Sequence, residues 1–177
     1  GPYDETDSAS PISEYGRQKL AAEHYISLFA KKYLVIRTTI VYGWERKGKN
    51  FVYNLIRSLK SGNSIRVPVD QIGSPTYAKN LAQIAVELAG LLLNDVINIT
   101  GTDRISRFEL ARLVAKTFKL DEQLITPVET NQLGQPAKRP LEAGLKTAKV
   151  TAVSQIPLIN FHEGLKLMAD DQEQFTS

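Results

Sequence analysis

A continuous β-branched run at residues 33–42 constrains the fold of this chain more than any other feature. Such runs are typical of strands buried on both faces of a parallel sheet. The preceding segment, residues 13–31, repeats apolar side chains at helical spacing and begins with Ser13, which can cap a helix. A helix that leads into a buried strand is half of a βαβ unit, so we expect an α/β protein. Arg37 lies inside the strand and must find a carboxylate partner.

Helices and strands are expected to alternate along the rest of the chain. Helices are predicted at 51–60, at 77–93, after a capping box formed by Ser106 and Glu109, and at 160–170; strands at 64–69 and 95–100; loops at 44–50 and 70–76; and irregular structure at 121–140.

Composition excludes several classes of function. The net charge is +3 and the basic residues are scattered, so we expect no nucleic-acid partner. The chain has no cysteine, which excludes disulfides, thiol nucleophiles and thiolate metal ligands and fits a cytoplasmic protein. No apolar run reaches the roughly 20 residues of a membrane helix, and no cluster of histidines and carboxylates indicates a metal.

Tyr15 and Lys19 are the first candidates for chemistry. They are four residues apart on the predicted helix, so both side chains lie on one face. An ammonium beside a phenol stabilises the phenolate, and such a tyrosine can exchange a proton with a carbonyl or an alcohol. The spacing alone is also compatible with an ordinary amphipathic helix that carries an interfacial tyrosine and a solvated lysine.

Four stretches, in order, extend this motif into a resemblance. They are Tyr-Asp-Glu-Thr-Asp at 3–7 with Pro11 and Tyr15-Gly-x-x-Lys19-x-x-x-Glu23; Arg-Thr-Thr at 37–39 with Val-Tyr-Gly at 41–43 and Gly-Lys-Asn-Phe at 48–51; Val-Asp-Gln-x-Gly-Ser-Pro-Thr at 69–76; and Arg-Pro at 139–140 with Leu145. From residue 1 to about 165 the chain resembles the C-terminal part of extended short-chain dehydrogenase/reductases. Within that superfamily it is most similar to the dTDP-4-dehydrorhamnose reductases.

The resemblance implies a fold and a domain organisation. It predicts the C-terminal part of a Rossmann-like, doubly wound parallel sheet with a smaller substrate-binding α/β region. Residues 1–43 would end the dinucleotide-binding domain, and residues 44–177 would be mainly substrate-binding, with some elements returning to the sheet. No Gly-x-Gly-x-x-Gly loop follows any predicted strand, so we expect the N-terminal part of the same protein to supply it.

The resemblance also implies roles for individual residues. Tyr15 would be the general acid, and Lys19 would hold the nicotinamide ribose. The expected cofactor contacts are Tyr15, Lys19 and Ile40, and the expected substrate contacts are Asn50, Phe51, Gln71, Thr76 and Arg139. A guanidinium at Arg139 suits a diphosphate, although a local salt bridge is an alternative. Residues 70–76 are equally compatible with a structural turn.

The expected activity is NAD(P)H-dependent reduction of the C4 keto group of a nucleotide-linked deoxysugar, with NADPH or NADH as cofactor. We expect a nucleotide-sugar substrate, no membrane association, and residues 1–177 alone to be inactive; a homodimer is compatible with the resemblance. The alternative is a non-catalytic regulator similar to the methionine adenosyltransferase β subunit. Ile40 and Glu142 depart from the reductase pattern, in which a tryptophan and an amide residue are common.

Overall fold

The structure, a computed structural model, describes residues 1–46, 48–91 and 94–172. Within these ranges the chain forms six α-helices and nine short strands. The helices are α1 (Glu14–Phe29), α2 (Phe51–Lys60), α3 (Ala78–Gly90), α4 (Arg107–Thr117), α5 (Ala148–Val153) and α6 (Phe161–Asp170). The strands are β1 (Tyr33–Arg37), β2 (Val41–Tyr42), β3 (Ile65–Pro68), β4 (Ile72–Gly73), β5 (Thr76–Tyr77), β6 (Asn94–Asn98), β7 (Ile105–Ser106), β8 (Ile125–Val128) and β9 (Glu142–Ala143).

Most strand pairs are parallel, as an α/β protein requires. Strand β1 pairs with β6, β2 with β5, and β3 with β8, all in parallel. Strand β4 lies between antiparallel β7 and parallel β9. Helices connect these parallel neighbours, which confirms the predicted α/β class.

The prediction of one strand over 33–42 was wrong. The chain forms β1 and then β2, which pair with different neighbours. Ile40, between them, has a φ of +45°, in the left-handed region that interrupts an extended strand. The interruption moves the chain from one strand pair to the next.

Other boundaries also differ from the predictions. Residues 121–140 are not wholly irregular, because they contain β8 and two short 3₁₀ helices, Glu122–Leu124 and Thr130–Leu133. The predicted loop at 70–76 contains β4 and the first residue of β5. Helix α3 ends at Gly90, and residues 92–93 of the predicted helix lie outside the described ranges. Helix α5 was not predicted.

The hydrophobic core has two clusters. The larger gathers buried side chains of α2, α4 and α6, including Leu55, Leu110 and Leu165, each 0% exposed. The smaller joins α3, β6 and α5 through Ile84, Ile97 and neighbours. The predicted capping box at Ser106 and Glu109 starts α4. In the described part of the chain, no helix has both the length and the apolarity needed to cross a bilayer.

Candidate functional site

A cavity of about 730 Å³ opens beside the start of α1. Its volume is in the range typical of small-molecule sites. Its walls come from the N-terminal loop, the first turns of α1, the end of β1 and the residues after it, β4 and the segment around residues 138–145. Because these parts are distant in sequence, the cavity exists only once the chain has folded.

Tyr15 lines this cavity, and Lys19 lies one helical turn further along α1. Ser13 caps the helix by accepting a hydrogen bond from the Gly16 amide at 3.2 Å, as predicted. The Tyr15 side chain is 68% exposed, and the Lys19 Nζ lies 5.4 Å from the centre of its ring. Among the described residues, neither the phenol nor the ammonium has a hydrogen-bond or ion-pair partner. Both groups are therefore available to a bound molecule.

An ion pair ties α1 to β1 beneath this site. The Arg37 guanidinium donates to both carboxylate oxygens of Glu23, at 2.7 Å from Nη2 and 3.1 Å from Nε. This pairing with Glu23 raises the Arg37 pKa. The expectation that Arg37 finds a carboxylate is confirmed, and the pair fixes how α1 lies on β1.

Ile40 and Gln71 line the same cavity as Tyr15. A left-handed φ is unusual for a β-branched residue and is often found at functional sites. The Ile40 side chain packs against Gly73, where an added Cβ would lie only 2.8 Å from Ile40 Cδ1. Gln71 is 7% exposed and donates from Nε2 to the Thr130 hydroxyl at 3.1 Å. The glycine and the threonine thus hold these two cavity residues in place.

Asn50 and Thr76 are not among the residues that line this cavity. Asn50 caps α2, accepts from the Tyr53 amide at 2.9 Å and donates to the Gly43 carbonyl at 2.9 Å. It borders a separate depression of about 390 Å³. Thr76 is 2% exposed and donates to the Thr39 carbonyl at 2.8 Å. Both side chains stabilise local structure, and their predicted substrate contacts stay predictions.

Phe51 packs against the larger core cluster and lies beneath Arg107, which was not predicted as a site residue. The Arg107 Cζ lies 4.9 Å from the centre of the Phe51 ring. Arg107 and Arg139 both line the cavity. Burial, and then the charge of Arg139, lower the pKa of Arg107. Arg107 follows the Ser106 cap directly, so its sequence context indicates only the first turn of a surface helix.

Comparisons with known proteins show the family of the chain. Residues 1–174 match the RmlD substrate binding domain family. The chain is 32% identical over 165 residues to the dTDP-4-dehydrorhamnose reductase of Mycobacterium tuberculosis, covering 93% of this chain and 54% of that protein. With the corresponding protein of Salmonella typhimurium it is 32% identical, covering 99% and 61%.

Solved structures show the same fold. A dTDP-4-dehydrorhamnose reductase from Bacillus anthracis in complex with NADP is 30% identical, with a TM-score of 0.89 over 96% of this chain and 59% of that one. A dTDP-glucose 4,6-dehydratase from the same organism is 16% identical, with a TM-score of 0.80.

The fold is thus that of the extended short-chain dehydrogenase/reductases, with a Rossmann-like parallel sheet, as predicted. Within that class, the chain belongs to the RmlD substrate-binding domain family. It spans between 54% and 61% of the length of the two curated relatives described above.

Proposed function

We propose that this chain is the substrate-binding part of an NAD(P)H-dependent oxidoreductase that reduces the C4 keto group of a nucleotide-linked deoxysugar. The observation that carries the proposal is the exposed Tyr15 phenol at the cavity, with the Lys19 ammonium one turn away. The similarity to proteins named dTDP-4-dehydrorhamnose reductase supports this choice of substrate class.

The residues present fit the nicotinamide end of such a cofactor. The three Nζ–H donors of Lys19 make no hydrogen bond or ion pair within the described ranges, so they can bind ribose hydroxyls. The similar Bacillus anthracis enzyme was solved in complex with NADP. When bound, the dinucleotide supplies the hydride for the carbonyl carbon.

Tyr15 supplies the proton in this scheme. As the C4 carbon receives the hydride, the phenol donates its proton to the C4 oxygen, and the product is an alcohol. The phenolate that remains is stabilised by the neighbouring ammonium of Lys19. Because the Tyr15 side chain is 68% exposed, water can return a proton to it after product leaves.

The dinucleotide-binding part of the same protein is proposed to complete the site by packing against α1. This 16-residue helix has no buried residue, and Tyr25, Leu28 and Phe29 are 66%, 76% and 69% exposed. Strand β1 pairs only with β6 in the described part of the chain, and all five of its residues are partly exposed. Parallel sheets are normally covered on both faces. Residues 1–177 alone should therefore not oxidise NADPH, and the division near residue 43 stays a prediction.

The test follows NADPH absorbance in the full-length protein supplied with dTDP-4-dehydrorhamnose. Tyr15→Phe removes only the hydroxyl and should lower kcat roughly 100- to 10,000-fold, the usual contribution of general acid catalysis. Tyr25→Phe is the matched control, because it removes the same hydroxyl from the same helix at a residue that does not line the cavity, and it should leave kcat unchanged. Wild-type turnover by Tyr15→Phe would refute the assigned role of Tyr15.

The exposed apolar side chains of α1 also favour a second candidate, a regulatory subunit that binds another protein. In that case the full-length protein would bind dTDP but would not oxidise NADPH with the keto sugar. Substitution of Leu28 by a charged residue would then abolish partner binding while dTDP binding stays intact. The homodimer and the cytoplasmic location expected above stay predictions.

A further inference from the structure

Arg107 is a half-buried cation with no counter-ion in the described residues. Its guanidinium lies over the Phe51 ring, and burial is the main cause of its lowered pKa. Arg107 is partly buried, and a charge withdrawn from water without a partner is costly. An arginine left in this condition indicates that an anion from outside the chain binds to it.

Two acidic residues, one near Arg107 in sequence and one in the cavity wall, have other partners. Glu109, two residues along α4, accepts hydrogen bonds from the Ser106 amide and hydroxyl, both at 2.9 Å. Glu142, which also lines the cavity, pairs with Arg104 at 2.5 Å. Because Glu109 is bonded to Ser106 and Glu142 is paired with Arg104, neither carboxylate neutralises Arg107. The positive charge of Arg107 therefore faces the cavity.

A second guanidinium borders the same cavity. Arg139 lowers the pKa of Arg107 by like-charge repulsion, and Lys138 beside it lines the same wall. Within the described ranges, Arg139 has no ion pair, so the alternative of a local salt bridge finds no support. Two arginines that repel one another are both stabilised by a ligand with two anionic groups.

We propose that Arg107, held on the Phe51 ring, joins Arg139 in binding a diphosphate, and that Arg107 makes the cavity prefer a nucleoside diphosphate to a monophosphate. The planar guanidinium forms paired hydrogen bonds with phosphate oxygens, and two such groups match two linked phosphates. Phe51 acts as a positioning residue, because the ring fixes the plane of the guanidinium. This inference rests on the proposed function in taking the ligand to be a nucleotide sugar.

The test measures binding by calorimetry in the full-length protein, with dTDP and dTMP as probes and no nicotinamide cofactor. Arg107→Met keeps the length and apolar contacts of the side chain but removes its charge. It should weaken dTDP binding roughly 10- to 100-fold, since a hydrogen bond to a charged group is lost, and dTMP binding roughly threefold or less. Arg112→Met is the matched control on the exposed side of α4, where Arg112 pairs with Glu122, and should leave both affinities unchanged.

Melting temperatures distinguish a binding role from a structural one. Without ligand, Arg107→Met should melt at or above the wild-type temperature, because an unpaired, half-buried cation has been removed. The rise in melting temperature that dTDP causes in the wild type should largely disappear in the variant. A structural arginine would instead give a large fall in melting temperature without ligand, and that result would overturn the inference.

Arg107→Lys and Phe51→Leu give independent checks. Lysine keeps the charge but lacks the planar group that forms paired hydrogen bonds. The dTDP affinity of Arg107→Lys should therefore lie between those of the wild type and Arg107→Met. Phe51→Leu should weaken dTDP more than dTMP. If Arg107→Met and Arg107→Lys each weakened dTDP and dTMP binding by the same factor, the assigned diphosphate preference would be refuted.

The outcomes also separate this inference from the proposed function. If dTDP binding depends on Arg107 but NADPH is not oxidised with the keto sugar, the diphosphate site stands and the reductase proposal fails. If the sugar is reduced while Arg107→Met binds dTDP like the wild type, the reductase proposal stands and the role of Arg107 is refuted.

Discussion

Helix α4 buries four residues in the core, whereas the longer helix α1, which carries Tyr15 and Lys19, buries none. Helix α4 packs between α2, α6 and strand β3 through side chains such as Leu110 and Val114. Helix α1 is held by the Glu23–Arg37 ion pair and by contacts with β1. The chain thus builds one region that is stabilised by its own core and another that relies on few contacts.

The difference bears on function, because the less packed region carries the proposed proton donor. A site formed between two parts of a protein can admit both a cofactor and a substrate while excluding water from the reacting atoms. We interpret the exposed face of α1 as the surface that the dinucleotide-binding part covers. Substitutions in the two regions should therefore have very different effects on residues 1–177.

The largest expected effect is that of Leu110→Ala in residues 1–177. Leu110 is 0% exposed, and its truncation should lower the free energy of unfolding by about 2–5 kcal/mol. Leu28→Ala, at a side chain 76% exposed, should change it by about 0.5 kcal/mol or less. Urea unfolding followed by circular dichroism measures both. Equal losses would mean that α1 is as well packed as α4.

A second pair of substitutions tests the close packing of α6. At Gly164 an added Cβ would collide with the hydroxyl of Tyr42, which is 1% exposed and wedged against Phe161 and Tyr77. Gly164→Ala should cost about 1–3 kcal/mol in the free energy of unfolding.

Gly90→Ala is its control at the end of α3. A Cβ there would meet no atom within 4 Å, so alanine should be neutral or stabilising by up to about 1 kcal/mol. If Gly164→Ala were equally harmless, the packing of α6 against Tyr42 would be refuted.

Removal of the ion pair beneath α1 should have a smaller effect. The Glu23 and Arg37 side chains are 22% and 26% exposed, so Glu23→Gln should cost about 1–2 kcal/mol, between the values of surface and buried pairs. Glu14→Gln breaks a pair with Arg17 in which both side chains are more than half exposed, and should have little effect. Thermal unfolding of both variants measures the two effects. Equal melting temperatures would contradict a larger contribution from the Glu23–Arg37 pair.

The smallest expected effect is a pH dependence at the cavity edge. Hydrogen bonds from Thr6, and then Lys146, lower the pKa of Asp4 from 3.8 to about 2. A lowered pKa in the folded state means that the stabilisation is present above about pH 4 and is lost as the pH falls towards 2. The melting temperature of Asp4→Asn should therefore fall less than that of the wild type as the pH is lowered from about 4 towards 2. An unchanged pH profile would show that Asp4 does not contribute.

The parts of the fold that could be predicted have strong local signals. The capping box at Ser106 and the cap at Ser13 each fix a helix start through nearby hydrogen bonds, and the apolar spacing of α2 marks its buried face. Strand β8 was missed because Pro127 disfavours strands, although it is tolerated in an edge position beside β3. The break at Ile40 was missed because β-branched residues rarely adopt a positive φ.

The candidate site was predictable only where residues lie close in sequence. Tyr15 and Lys19 are one helical turn apart, so their shared face followed from spacing alone. Arg107, Phe51 and Arg139 come together through tertiary structure, and no local pattern connects them. Asn50 and Thr76 matched a family motif, yet their side chains bond to nearby backbone atoms.

Hydrogen exchange of α1 and α4 tests the central claim most directly, by comparing residues 1–177 with the full-length protein. We predict that α4 amides are strongly protected in both samples. The α1 amides should exchange quickly in residues 1–177 and become roughly 100-fold or more slower when the dinucleotide-binding part is present. Two results would contradict the account: α1 protected as well as α4 in residues 1–177, or α1 gaining no protection in the full-length protein. Either would mean that the dinucleotide-binding part does not cover α1.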